Sequence, residues 1–165
     1  MNSNTVLRVT NCNLLTIKSL LNKFSLKLEL TPENQIIPGS YWGDSEAGII
    51  SNKLFVRLDT PIHSLLHEAC HFICMDNTRR MSLDTNAEGD YDEENGVCYL
   101  QILLADDIPE MGRKRMMKDM DSWGYTFRLG SAKQWFEQDS SDTVEWLNQH
   151  SLLENNNRSS YTLRQ

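Results

Sequence analysis

The stretch HSLLHEACHFICM, residues 63–75, carries histidines at 63, 67 and 71 with Glu68 directly after the second. Its apolar members Leu65, Leu66, Ala69 and Ile73, joined by Ile62, recur at the three-and-four spacing of a helix that turns one side to a core. The histidines then fall together on another side. Upstream, Thr60 is placed to cap the helix and Pro61 to occupy its first position, where a missing N–H costs nothing. The spacing therefore predicts a helix over 61–75. Within it, His67-Glu68-Ala69-Cys70-His71 reads HExxH: residues four apart stand one turn above each other, so two imidazoles reach one ion. Glu68, about 100° further round the axis, holds its carboxylate beside a metal-bound water, where a general base belongs.

Outward from this helix the pattern predicts one domain over 1–150. Residues 11–24 have a helical apolar period, SLKLEL alternates like a half-buried strand, and AGII and KLFVRL, separated by SN, read as a hairpin. The segment 76–92 is polar and loop-like, with a short turn in RRMSL. A second apolar helix runs from about 92 to 105 and is ended by Asp107, Ile108 and Pro109. Three shorter helices follow: one over 110–122 with a stripe of Met116, Met117 and Met120, and two opened by capping boxes, Ser131 with Gln134 and Asp142 with Glu145. Residues 151–165 lack apolar anchors and read as a frayed tail. The expected class is α+β, a short mixed or antiparallel sheet packed on the HExxH helix and a glutamate-bearing helix, with a helical C-terminal part.

At 165 residues the chain can bury one real core. A net charge of −7 with scattered Lys and Arg leaves no basic stripe for a phosphate backbone, so no nucleic-acid partner is expected. No apolar run approaches membrane-spanning length and no signal-like leader opens the chain, which points to a cytoplasmic protein without a membrane partner. None of the four cysteines pairs in a CxxC, and reduced core thiols are expected.

Catalytic metal sites ordinarily have three protein ligands and one open position. The third ligand is sought in DYDEEN, where Asp90, Asp92, Glu93 and Glu94 lie before or inside the second apolar helix. Extending the apolar line through Val97, Leu100 and Leu104 back one turn reaches Glu93, whereas Glu94 points about 100° away. Glu93 is preferred, with Glu94 close behind, because a carboxylate on a core-facing stripe is costly to bury unless it meets a cation. His63 reads as a first-turn or supporting histidine, since one ion does not easily span three successive turns. Tyr91, Tyr99, Tyr125, Arg79 and Arg80 are candidates to steady an oxyanion.

HEACH followed by an acidic helix resembles the gluzincin branch of HExxH zinc metallopeptidases, over about residues 50–105. The resemblance implies that His67 and His71 bind zinc, that Glu93 or Glu94 completes the set, and that Glu68 is the general base of an intracellular peptidase-like hydrolase acting on a peptide or protein. HEACHFICMDNTRR is also similar to the elongation factor P hydroxylase family, which implies iron and oxygen chemistry on two histidines and a carboxylate, a donor set that suits either metal. A third reading, from another class, is a non-catalytic metal-binding interaction domain.

Overall fold

The computed structural model describes residues 5–165. Asn13 opens the first helix by accepting from the backbone N–H groups of Leu15 and Thr16, so α1 spans Leu14–Asn22 and buries Ile17, Leu20 and Leu21. The chain turns into β1, Lys27–Leu30, and returns through β2, Gly48–Ile50, and β3, Lys53–Val56. The SN pair forms the expected hairpin, with Ser51 in the left-handed region at φ 54°. β3 is central: it pairs antiparallel with β2 and parallel with β1, from Lys27 opposite Lys53 to Leu30 opposite Val56. The sheet is therefore mixed. Gly48 is required where the 38–40 turn crosses β2, because a Cβ there would stand 1.9 Å from the Pro38 carbonyl oxygen.

The HExxH helix α2 spans Ile62–Cys74. Pro61, not Thr60, takes the N-cap position, and its carbonyl accepts from Ser64 and Leu65. The Thr60 hydroxyl instead accepts from the Arg57 N–H and closes the preceding turn. A two-sided helix was expected, but all of α2 except His67 is buried, because the sheet covers one side and α4 another. The RRMSL turn is α3, Asn77–Met81, opened by the Asp76 carboxylate on the Arg79 N–H.

α4 spans Tyr91–Leu104 and begins at Asp90, whose side chain accepts from the Glu93 N–H. It makes the most extensive helix contact of α2. The chain continues through α5, Gly112–Trp123, α6, Ala132–Gln138, and α7, Ser141–Gln149. Met116, Met117 and Met120 are buried as core. Ser131 caps α6 through the Gln134 N–H as expected. The second box does not form: α7 starts at Ser141, and Asp142 lies inside its first turn. The result is an α+β fold with seven helices among the described residues, none long and apolar enough to cross a membrane.

The 151–165 segment is a correction to the sequence reading. It contains the ladder of β4, Leu153–Glu154, with β5, Arg158–Ser159, and then runs along the end of α2. The cause lies in α2 itself, whose last four carbonyls have no partner within the helix. Arg80 donates to the carbonyls of Phe72, Ile73 and Met75. Arg164 donates to those of Ile73, through its backbone N–H, and Cys74, through its guanidinium. Two cations thus sit at the negative end of the helix dipole, and the ending with no apolar pattern is held by polar contacts.

Arg80 is buried, so Arg80→Met strands several buried carbonyls. The variant should unfold with stability reduced by roughly 3 kcal/mol in urea titration; a loss below about 0.5 kcal/mol would contradict this capping role. The thiols provide a second check. Burial pushes Cys12 up to about 11 and Cys98 up to about 12, and raises Cys70 and Cys74 well above the usual thiol range. Since the thiolate is the reactive form, the folded protein should react slowly with an aromatic disulfide reagent at pH 8, and all four cysteines only after denaturation.

Candidate metal centre

α2 and α4 meet along one face each. On α2 the four-residue step brings the Nε2 atoms of His67 and His71 to 3.1 Å from each other. On α4, Glu94 stands opposite them, with its Oε1 3.6 Å from His71 Nε2. One donor atom from each of the three residues lies within 4.8 Å of the others. Two nitrogens bound tetrahedrally to one zinc at 2.0–2.1 Å are about 3.3 Å apart, so the imidazole spacing is that of two ligands of a single ion.

Glu93, the acid preferred from the sequence, does not join them. It is buried as its apolar line predicts, at 2% exposure, but the cations it meets are guanidinium groups. Arg79 contacts both its oxygens, at 2.7 and 3.0 Å, and Arg164 reaches Oε1 at 3.1 Å. Gly89 makes room for this pair, since a Cβ there would fall 1.6 Å from Glu93 Oε2. Asp90 is spent on the cap, and Asp92 is exposed. Glu94, one residue on, is thereby turned toward α2, and the Gly89 N–H donates to its Oε1.

Gln101 supports the site and was not singled out in the sequence. Fully buried on α4, it donates through Nε2 to the His63 carbonyl at 2.9 Å, which leaves its Oε1 facing His67 Nδ1, also at 2.9 Å. Nδ1 must then carry the proton, and the bare Nε2 lone pair points at His71. This is how a ligand histidine is ordinarily held. The available signal was a lone amide in the apolar run YLQILLA, two turns after Glu94. His71 has no such support, its Nδ1 being buried without a partner.

His63 is not among the converging donors. Its Nδ1 lies 3.2 Å from the Tyr125 hydroxyl, and its ring packs on Trp123 and Tyr125. Burial holds its pKa down to about 3. Of the five oxyanion candidates, Arg79 and Arg80 are committed to Glu93 and to carbonyls. Tyr99 stacks on Phe136 away from the site, and Tyr91 is exposed. Tyr125 alone of the five borders the cavity over the histidines, with its ring edge-on to His67.

Burial disfavours the charged form of every titratable member of the centre. Burial lowers the pKa of His67, partly offset by the Gln101 hydrogen bond, and puts His71 well below the usual imidazole range, so both offer neutral lone pairs. Burial raises Glu94 to about 7. Glu68 is raised to about 8, first by burial and then by the charges of Glu46 and Glu94. At 8% exposure it has no hydrogen-bond or ion-pair partner among the described residues. Two imidazoles with one carboxylate beside them form a group that could hold a metal ion. Comparisons with protein-family models, curated proteins and solved structures find no match to this chain.

Proposed function

We propose that the chain is a metal-dependent hydrolase of the peptidase kind, with zinc held by His67, His71 and Glu94 and with Glu68 as general base. The observation that carries this reading is the Glu68 carboxylate: buried, unpartnered, and placed next to three convergent donors. A structural zinc site would ordinarily fill four positions with cysteine and histidine. Here the thiol nearest in sequence on α4, Cys98, is not part of the donor group.

Bound zinc supplies Lewis acidity toward a carbonyl oxygen and brings a bound water's pKa toward neutrality. The protein's own part begins with Gln101, which keeps the proton of His67 on Nδ1 and so keeps Nε2 available. Glu68 accepts a proton from the attacking water and returns it to the leaving amine, a role that needs a carboxylate with no competing donor. Tyr125 closes the wall above His67; its hydroxyl contacts His63 Nδ1 and accepts from Gln101 Nε2 at 3.4 Å. Two cavities, about 550 and 90 Å³, meet at His67, Glu68 and Glu94, and the larger has room for a substrate side chain beside the reacting bond. The same donor set accepts iron, on which the hydroxylase reading rests.

Protein purified without added metal should contain close to one zinc per chain by elemental mass spectrometry, lost in His71→Ala. Iron in its place would move the assignment to an oxygen-dependent hydroxylase, and neither metal would overturn both. Glu68→Gln should keep the zinc and lose peptide hydrolysis by roughly 100-fold or more; full activity in that variant would remove Glu68 as the base. Gln101→Met should weaken zinc binding about 10- to 100-fold in a competitive chelator titration. Gln101→Glu, which retains an acceptor for the His67 N–H, should recover much of that loss.

A further inference from the structure

The wall of the larger cavity contains Glu46, Glu68 and Glu94 together with Trp42, Trp123 and Tyr125, and no lysine or arginine. Glu46 is held in position: Oε1 accepts from the Trp123 indole N–H at 2.8 Å and Oε2 from the Ser64 hydroxyl. Each oxygen retains further acceptor capacity toward the cavity. A bound divalent ion offsets the charges of Glu68 and Glu94, and Glu46 is then left over. Trp42 is 74% exposed at the rim, edge-to-face with Tyr41 at 5.2 Å. The exposed indole of Trp42 beside a fixed carboxylate forms a cation-binding arrangement, since ring quadrupole and charge attract the same partner; Trp123, its ring packed on His63 and under the Arg8 guanidinium at 5.9 Å, contributes its N–H to hold Glu46. The Glu68 carboxyl group, more than nine-tenths buried in the same wall, has no hydrogen-bond or ion-pair partner among the described residues.

We infer that the cleft is selective for substrates with a cationic side chain, of the lysine or arginine type, seated against Glu46 and the exposed indole of Trp42 beside the metal position. The substrate is then a basic peptide, which deepens the hydrolase reading and rests on it only for the metal floor. The smaller cavity agrees in sign, with Glu88 in its wall and again no basic residue.

The test uses N-acetylated hydroxamates of lysine, norleucine and glutamate as probes on zinc-loaded protein, read by calorimetry. The lysine compound should bind about tenfold more tightly than its near-isosteric norleucine counterpart at low salt, and the glutamate compound least. Glu46→Gln and, at the exposed rim, Trp42→Ala should each bring the lysine-to-norleucine ratio toward one. Zinc-dependent binding with norleucine equal to or better than lysine would overturn the inference and leave the metal reading standing. A second arm needs no metal: on chelator-treated protein, pentylammonium should shift the indole N–H resonances of Trp42 and Trp123 in NMR spectra while pentanol does not. Selection of pentylammonium without any hydroxamate binding would support the cation site and remove the metal reading. No selection in this arm would overturn the cation site.

Discussion

The buried carboxylate of Glu93, clamped between Arg79 and Arg164, is the contact on which the arrangement of the centre depends. It joins three parts of the chain at one point: the short helix after α2, the first turn of α4, and the C-terminal segment. A charge at 2% exposure is tolerated only with close and complete pairing, so the clamp tightly restricts where α4 can begin. Once Glu93 faces away into its arginine pair, the helical step turns Glu94 toward His67 and His71. Removing both arginines would leave an uncompensated charge inside the protein, a penalty that ordinarily exceeds what the intact pairing contributes.

From that anchor the rest of the centre follows as a matter of facing surfaces. Glu94, Cys98 and Gln101 lie along one side of α4, and His63, His67 and His71 along one side of α2. The first acid meets the last two histidines, and the amide two turns later meets the first two. Gln101 bridges the His63 carbonyl to the His67 ring, tying backbone position to ring orientation. Beyond the helices, Glu46 reaches from the loop before β2 to Ser64 on α2 and Trp123 at the end of α5, closing the cavity on the sheet side. The donors therefore stand on helices held at both ends, the condition for a site whose geometry does not relax.

The convergence of His67 on His71 is legible in the letters because it follows from the helix period alone, and the hairpin because its two apolar runs are separated by a two-residue turn. Glu93 and Glu94 differ. The apolar line through Val97 and Leu100 correctly marks Glu93 as buried, and burial correctly demands a cation. The cation is supplied by residues 14 and 71 positions away, information that no local pattern carries. Thr60 misleads for a related reason: a hydroxyl at a helix start is a good cap, but here the backbone N–H of Arg57 competes for it and wins. Gln101 stays hidden because a single amide in an apolar run has no periodicity of its own.

The C-terminal segment shows why apolar patterning underestimates order. Helix α2 is buried nearly all round, so its terminal carbonyls have little water to turn to, and each unpaired one costs about 1–3 kcal/mol. Arg80, from α3, serves three of them, and its guanidinium also donates to the Arg164 carbonyl at 2.8 Å. Arg164 serves the Cys74 carbonyl and Glu93 with its side chain and the Ile73 carbonyl with its backbone. One residue near the end of the chain thus finishes the helix that carries the histidines and completes the ion pair that orients the acid. Segments 151–165 and 63–75 are one structural unit for that reason, although hydropathy assigns one to solvent and the other to the core.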